Sequence, residues 1–216
     1  MTEKLDVLAG HVHRYVPPHG GERRTLLLLH GTGGDESDLL PLGEMLVPGA
    51  GLLSPRGAVR ENGAPRFFRR IAEGVFDLPD LHARTSALVD FVTAATHAYD
   101  FDPQGVIAVG FSNGANIAAS VLLSSPDTLA AAVLFRPMLP FVPERPVSLV
   151  GVGVFIGAGR ADPIVPQDQP ERLGDLLRGY GADVTLTWQP AGHSLVRSDI
   201  ASARLVLDQW AGTMGG

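Results

Sequence analysis

Apolar residues along this chain fall into two kinds of run. Thr25–Leu29, Gly105–Gly110 and Ala130–Phe135 are short and nearly uninterrupted, as expected of strands covered on both faces. In other stretches apolar residues recur three or four positions apart. Leu39, Leu40, Leu42, Met45 and Leu46 predict a helix that Ser37 or Asp38 would cap and Pro48-Gly49 would end. Leu81, Leu88, Val89, Val92 and Ala95 predict a longer one starting at Pro79 or Asp80, and further helices are expected after Ser112, over Glu171–Gly179 and over Asp199–Trp210. Alternation in Val12–Val16 and the runs Gly51–Pro55, Val147–Ile156 and Val184–Trp188 supply the remaining strands, while polar Arg56–Arg70 is expected to be surface loop. Strands alternating with helices predict an α/β fold with a mostly parallel central sheet, helices on both faces, and one domain over residues 1–216.

Composition narrows the function. With 45% hydrophobic and 19% charged residues, the 216-residue chain can bury its own core. A net charge of −6 argues against gripping phosphate backbones, so no nucleic-acid partner is expected. No stretch approaches the apolar length of a membrane span, and MTEKLDVLAG lacks the pattern of an export signal, so a cytoplasmic protein without membrane attachment is expected. The absence of cysteine removes disulfides and thiolate nucleophiles, so nucleophilic catalysis must use oxygen. His11 and His13 would share a strand face, yet no convergent third ligand is visible; neither a metal nor any other cofactor is expected.

Gly110-Phe111-Ser112-Asn113-Gly114 matches the G-x-S-x-G nucleophile elbow and lies between an apolar strand and a helix. Chance occurrence, with Ser112 only capping the helix, is the bland alternative, and the flanking elements weigh against it. A serine hydroxyl needs an adjacent base, supplied on this fold from downstream in the order Ser, acid, His. Of the seven histidines only His193 follows Ser112. The base must be neutral to accept the proton, so hydrolysis is expected to fall in acid.

For the acid, Asp162 in Gly159-Arg160-Ala161-Asp162-Pro163 comes soon after an apolar strand, unlike Asp127, Glu144, Asp168, Glu171, Asp175 and Asp183. An Asx-turn before Pro163 is the competing role for it. Backbone N–H groups of Asn113 and of Thr32, in the turn His30-Gly31-Thr32-Gly33-Gly34, are the expected oxyanion donors. His30 itself reads as a packed loop residue.

The segments LLLLHGTGGDE, GFSNGA, GRADPIVP and AGHSL together resemble the phospholipase/carboxylesterase family of α/β hydrolases, which includes bacterial carboxylesterases and acyl-protein thioesterases. The resemblance implies an α/β-hydrolase fold without a large cap domain, a triad of Ser112, Asp162 and His193, an oxyanion hole at Thr32 and Asn113, and a homodimer. The substrate expected is a small-molecule ester. Phe67, Phe68, Phe76, Met138, Leu139 and Phe141, from loops at the sheet edge, either line its pocket or serve as ordinary core or loop anchors. Arg66, Arg69 and Arg70 either attract an anionic or aromatic substrate or, the favoured reading, form a solvated basic loop. Thioester or lysophospholipid hydrolysis by the same triad is the alternative activity, and a catalytically silent binding protein the alternative class.

Overall fold

The computed structural model describes residues 6–211. Its centre is an eight-stranded sheet ordered β1-β2-β4-β3-β9-β10-β11-β12. These strands are β1 (Asp6–Leu8), β2 (His11–Val16), β3 (Thr25–Leu29), β4 (Gly51–Pro55), β9 (Val106–Phe111), β10 (Ala131–Phe135), β11 (Gly153–Gly159) and β12 (Asp183–Gln189). From β4 to β12 every neighbouring pair is parallel, while β1 and β2 add antiparallel at one edge.

Alternate side chains of a strand face opposite ways, and the helices divide accordingly. Leu27 and Leu29 of β3 join one core with Leu88 and Phe91 of α2 (Leu78–Tyr99), Ile117 and Val121 of α3 (Asn113–Ser124), and Leu173 and Leu177 of α4 (Asp168–Gly179). Leu26 and Leu28 face the other way, against Leu42 and Leu46 of α1 (Leu40–Leu46) and Val206, Leu207 and Trp210 of α5 (Arg197–Ala211). A parallel α/β sheet leaves its functional crevice beyond the carboxyl ends of its strands, where the loops after β3, β9, β10, β11 and β12 gather.

Several expectations need correction. The polar stretch Arg56–Arg70 is not open loop: β5 (Val59–Glu61) pairs with β6 (Ala64–Arg66), and β7 (Arg70–Ala72) with β8 (Val75–Phe76), as two antiparallel hairpins. The strand expected from Val147 starts only at Gly153. Gly151, at φ +88, turns the chain, and a side chain at Gly153 would collide with the Trp210 ring. Neither Ser37 nor Asp38 caps α1, which begins at Leu40 without a side-chain cap; Asp35 instead accepts the Ser37 N–H in the preceding turn, at 2.8 Å. Met45 of α1 is exposed. The long helix α2 begins at Leu78, because the Asp77 side chain takes the cap position and accepts the Asp80 N–H. Strand β1 had no counterpart in the sequence reading. Among the described residues no helix is long and apolar enough to cross a membrane.

Candidate active site

Ser112 occupies the single residue between β9 and α3, at φ 52 and ψ −112. A non-glycine residue in that region carries about 1–3 kcal/mol of strain, sustained only if the surroundings over-determine it. The surroundings are tight. A Cβ on Gly110 would lie 2.6 Å from the Gly114 carbonyl oxygen, and one on Gly114 would collide with the Leu29 carbonyl of β3. The two glycines of the motif therefore let strand, turn and helix close on each other. The Ser112 N–H donates to the Phe135 carbonyl at 2.9 Å, and its own carbonyl accepts from Asn116, starting α3.

The long return through β12 brings His193 back to this bend. His193 Nε2 lies 2.9 Å from Ser112 Oγ, and its Nδ1 lies 2.8 Å from Asp162 Oδ2. Asp162 follows the end of β11, and its side chain is 1% exposed. Its other oxygen, Oδ1, accepts from the N–H groups of Ile164 and Val165 at 2.8 and 3.0 Å. The two roles weighed for Asp162 are thus divided between its oxygens: one shapes the turn around Pro163, and the other faces the imidazole. Close approach of the His193 loop to the end of β11 requires Gly159, since a Cβ there would collide with the Gly192 and Ala191 carbonyls.

Thr32 and Asn113 line the same cavity as Ser112. Asn113 is the first residue of α3, a position whose N–H has no intrahelical partner. The turn carrying Thr32 is fixed to the hairpin segment twice: Gly33 N–H donates to Pro65 O at 2.9 Å, and Arg66 Nη1 donates to Thr32 Oγ1 at 2.7 Å. His30 is buried, with Nδ1 2.6 Å from Gly31 O, and its Nε2 accepts the Gly57 N–H at 2.9 Å. Burial lowers its pKa, as a neutral ring in that role requires.

The cavity measures about 360 Å³. Of the residues expected to form its wall, Phe76 and Met138 do so. Phe67 and Phe68 do not: both are buried in the core, where Phe68 packs edge-on to Phe76 and Phe67 stands beside the His30 ring. Leu139 packs against the same core rather than lining the cavity. Of the two roles weighed for them, Phe67 and Phe68 take that of anchors, sinking the hairpins into the body.

What the sequence reading missed is polar. Asn113 and Asn116, one turn apart on α3, use their side-chain carbonyls to grip the two walls. Asn113 Oδ1 accepts from Phe67 N–H at 2.8 Å, and Asn116 Oδ1 accepts from Met138 N–H at 2.7 Å. Glu73, Phe111 and Arg136 also line the cavity, as do Arg66 and Arg70, two of the three arginines weighed as substrate attractors; the solvated-loop reading fails for Arg66, which is buried. Burial pulls the Arg66 pKa down while the Glu61 carboxylate opposes that shift. A polar residue within the apolar face of α3 was the available signal for Asn116. His11 and His13 pack against Phe91, and among the described residues no group of three or more His, Cys, Asp or Glu could hold a metal ion.

Comparison with known proteins agrees with this architecture. The profile of the dienelactone hydrolase family matches residues 66–211. MhqD of Bacillus subtilis (strain 168), a protein named as a hydrolase, is 47% identical over 191 residues, covering 88% of this chain and 96% of MhqD. The crystal structure of the Bacillus cereus carboxylesterase superposes with a TM-score of 0.90 at 45% identity, covering 92% of this chain and 94% of that one. A carboxylesterase from Mesorhizobium loti superposes at 0.86 with 31% identity over 98% of this chain and 97% of its own. The eight-stranded, mostly parallel sheet matches these carboxylesterase structures, and the chain belongs to the dienelactone hydrolase family of α/β hydrolases.

Proposed function

We propose that this protein is a serine carboxylesterase acting on small to medium carboxylic esters through an acyl-enzyme on Ser112. One observation carries the reading: an unbroken chain of hydrogen bonds from Asp162 through His193 to Ser112 Oγ, with steps of 2.8 and 2.9 Å. His193 Nε2 takes the Ser112 proton as Oγ attacks the ester carbonyl. The N–H groups of Asn113 and Thr32 stabilise the tetrahedral oxyanion. Collapse breaks the ester C–O bond, and the alcohol leaves with the proton from His193. Water, activated by the same imidazole, then attacks the acyl-enzyme and releases the acid. Asp162 holds the Nδ1–H tautomer and stabilises the imidazolium in both halves without itself taking a proton.

The carboxylesterase identity of the Bacillus cereus relative supports the ester as substrate, and a cavity of about 360 Å³, near the lower end for ligand sites, favours small acyl and alcohol groups. A panel of nitrophenyl esters and acyl thioesters, with Ser112→Ala as reference, tests the reading. The variant should lose roughly 10⁴- to 10⁶-fold in kcat, and a fluorophosphonate should label the parent at Ser112 only. Full turnover by the variant would refute the nucleophile, and preference for thioesters would refute the substrate class.

A further inference from the structure

Beside Ser112, at the end of the neighbouring strand, stands a second residue in an unfavourable backbone conformation. Arg136 follows β10 at φ 55, and the parallel register that pairs Phe111 with Phe135 sets Arg136 level with Ser112. Its guanidinium is 0% exposed and so is its partner, Asp199, in the first turn of α5. Nη1 donates to Asp199 Oδ1 at 2.9 Å and Nη2 to Oδ2 at 2.7 Å, a two-pronged pair of the kind that fixes a guanidinium in plane.

The remaining donors point at the histidine loop. Nε donates to Gly192 O and Nη2 to Ser194 O, each at 3.0 Å, so the carbonyls on both sides of His193 are held by one side chain. Nη1 also reaches Gly157 O of β11 at 3.0 Å, and the backbone N–H of Arg136 donates to the same carbonyl at 2.8 Å. A guanidinium has five N–H donors, and here there are five acceptors. Asp199 Oδ2 in turn accepts the Val196 N–H at 2.9 Å, fastening the far end of the loop.

We propose that Arg136 is the positioning residue for His193, with Asp199 holding the guanidinium in register. The inference rests on the catalytic reading of His193 given above. A buried charge pair is a poor source of net stability, so its value here is geometric: it sets the imidazole against a serine whose own position is fixed by the adjacent strand. Lysine would retain the charge facing Asp199 but, as a point donor without the planar fork, could not span both carbonyls.

Arg136→Lys is therefore the primary test, with kcat counted per active site titrated by fluorophosphonate. We expect kcat to fall by roughly 10²-fold, as for angstrom-scale misplacement of a base, with KM changed by less than about 3-fold. The rate of fluorophosphonate labelling, which draws on the same base, should fall in parallel. Arg136 also lines the cavity, so a substrate-binding role would instead raise KM and leave labelling fast, and that result overturns the proposal. So does an unchanged kcat per titrated site. If the lysine variant fails to fold, the double substitution Arg136→Met with Asp199→Leu removes the pair without stranding a charge, and the same kcat loss is expected. Ser112→Ala run alongside separates the two readings: its full activity refutes the catalytic site, whereas its inactivity beside a fully active Arg136→Lys refutes only the role of Arg136.

Discussion

Two arginines are buried on opposite sides of the candidate nucleophile, and they are used differently. Arg136, on the histidine side, spends every donor on protein acceptors and pairs with a carboxylate as buried as itself. Arg66, on the hairpin side, bonds Thr32 Oγ1, Phe68 O and Glu61, and shares that glutamate with Arg70. Glu61 is 28% exposed, and among the described residues the Nη2 of Arg66 has no hydrogen-bond partner. A saturated guanidinium is scaffold. One with donors to spare on a cavity wall, where two arginines share one carboxylate, is available to a ligand.

The largest effect should separate the two carboxylates. Asp199→Ala strands a fully buried Arg136 and should cost about 3–5 kcal/mol, whereas Glu61→Ala, which removes a 28% exposed carboxylate shared by the buried Arg66 and the partly exposed Arg70, should cost less, about 1–2 kcal/mol. Urea unfolding of both variants measures the difference directly. Comparable losses would mean that the hairpins are held as rigidly as the histidine loop, and the contrast would collapse.

The next effect concerns substrate charge. Were Arg66 scaffold only, Arg66→Met would slow neutral esters and carboxylate-bearing esters equally. If the spare Arg66 donors meet a substrate carboxylate, kcat/KM for the carboxylate-bearing esters should fall about 10-fold further, the worth of one charge-assisted hydrogen bond of about 1.4 kcal/mol. Both series will also slow, because Thr32 Oγ1 loses its donor and the turn carrying its N–H loosens. A matched pair of nitrophenyl esters, one ending in methyl and one in carboxylate, makes the comparison.

The same contrast explains what was legible in the sequence. Local signals placed β3, β9 and α3, because an apolar run bounded by glycine and a G-x-S-x-G between strand and helix need no distant partner to be recognised. Chain order directed attention to His193, and chain order together with the apolar strand just upstream directed it to Asp162. The hairpins were opaque for a physical reason: strands of two or three residues are too short for a period to register, and what holds them down is long-range. Phe67 N–H finds Asn113 Oδ1, and Arg69 N–H finds Asp80 Oδ2. Arg136 and Asp199 are 63 residues apart, and each alone reads as a surface charge. The one available hint was an arginine placed directly after a wholly apolar strand.

The smallest effect is a pH dependence of stability that belongs to the hairpin side. His30 ties the end of β3 to the start of the hairpin segment only as a neutral ring, since its Nε2 accepts the Gly57 N–H; a proton there would set donor against donor. Burial lowers its pKa from 6.5, and burial does the same to His11 under α2. A histidine whose folded pKa lies below its unfolded value contributes stability that is fully present above 6.5 and is lost as pH falls through the folded pKa. Glu61 adds a loss of the same sign at lower pH, because its hydrogen bond to Arg70 holds its pKa below 4.5. Thermal midpoints should therefore decline from pH 7.5 to pH 5, by less than either substitution above produces. His30→Gln, which can still accept from Gly57, should flatten part of that slope at some cost in stability. An unchanged slope would assign the acid sensitivity to His11, on β2, and leave the His30 tie no weaker in acid than the side held by Arg136.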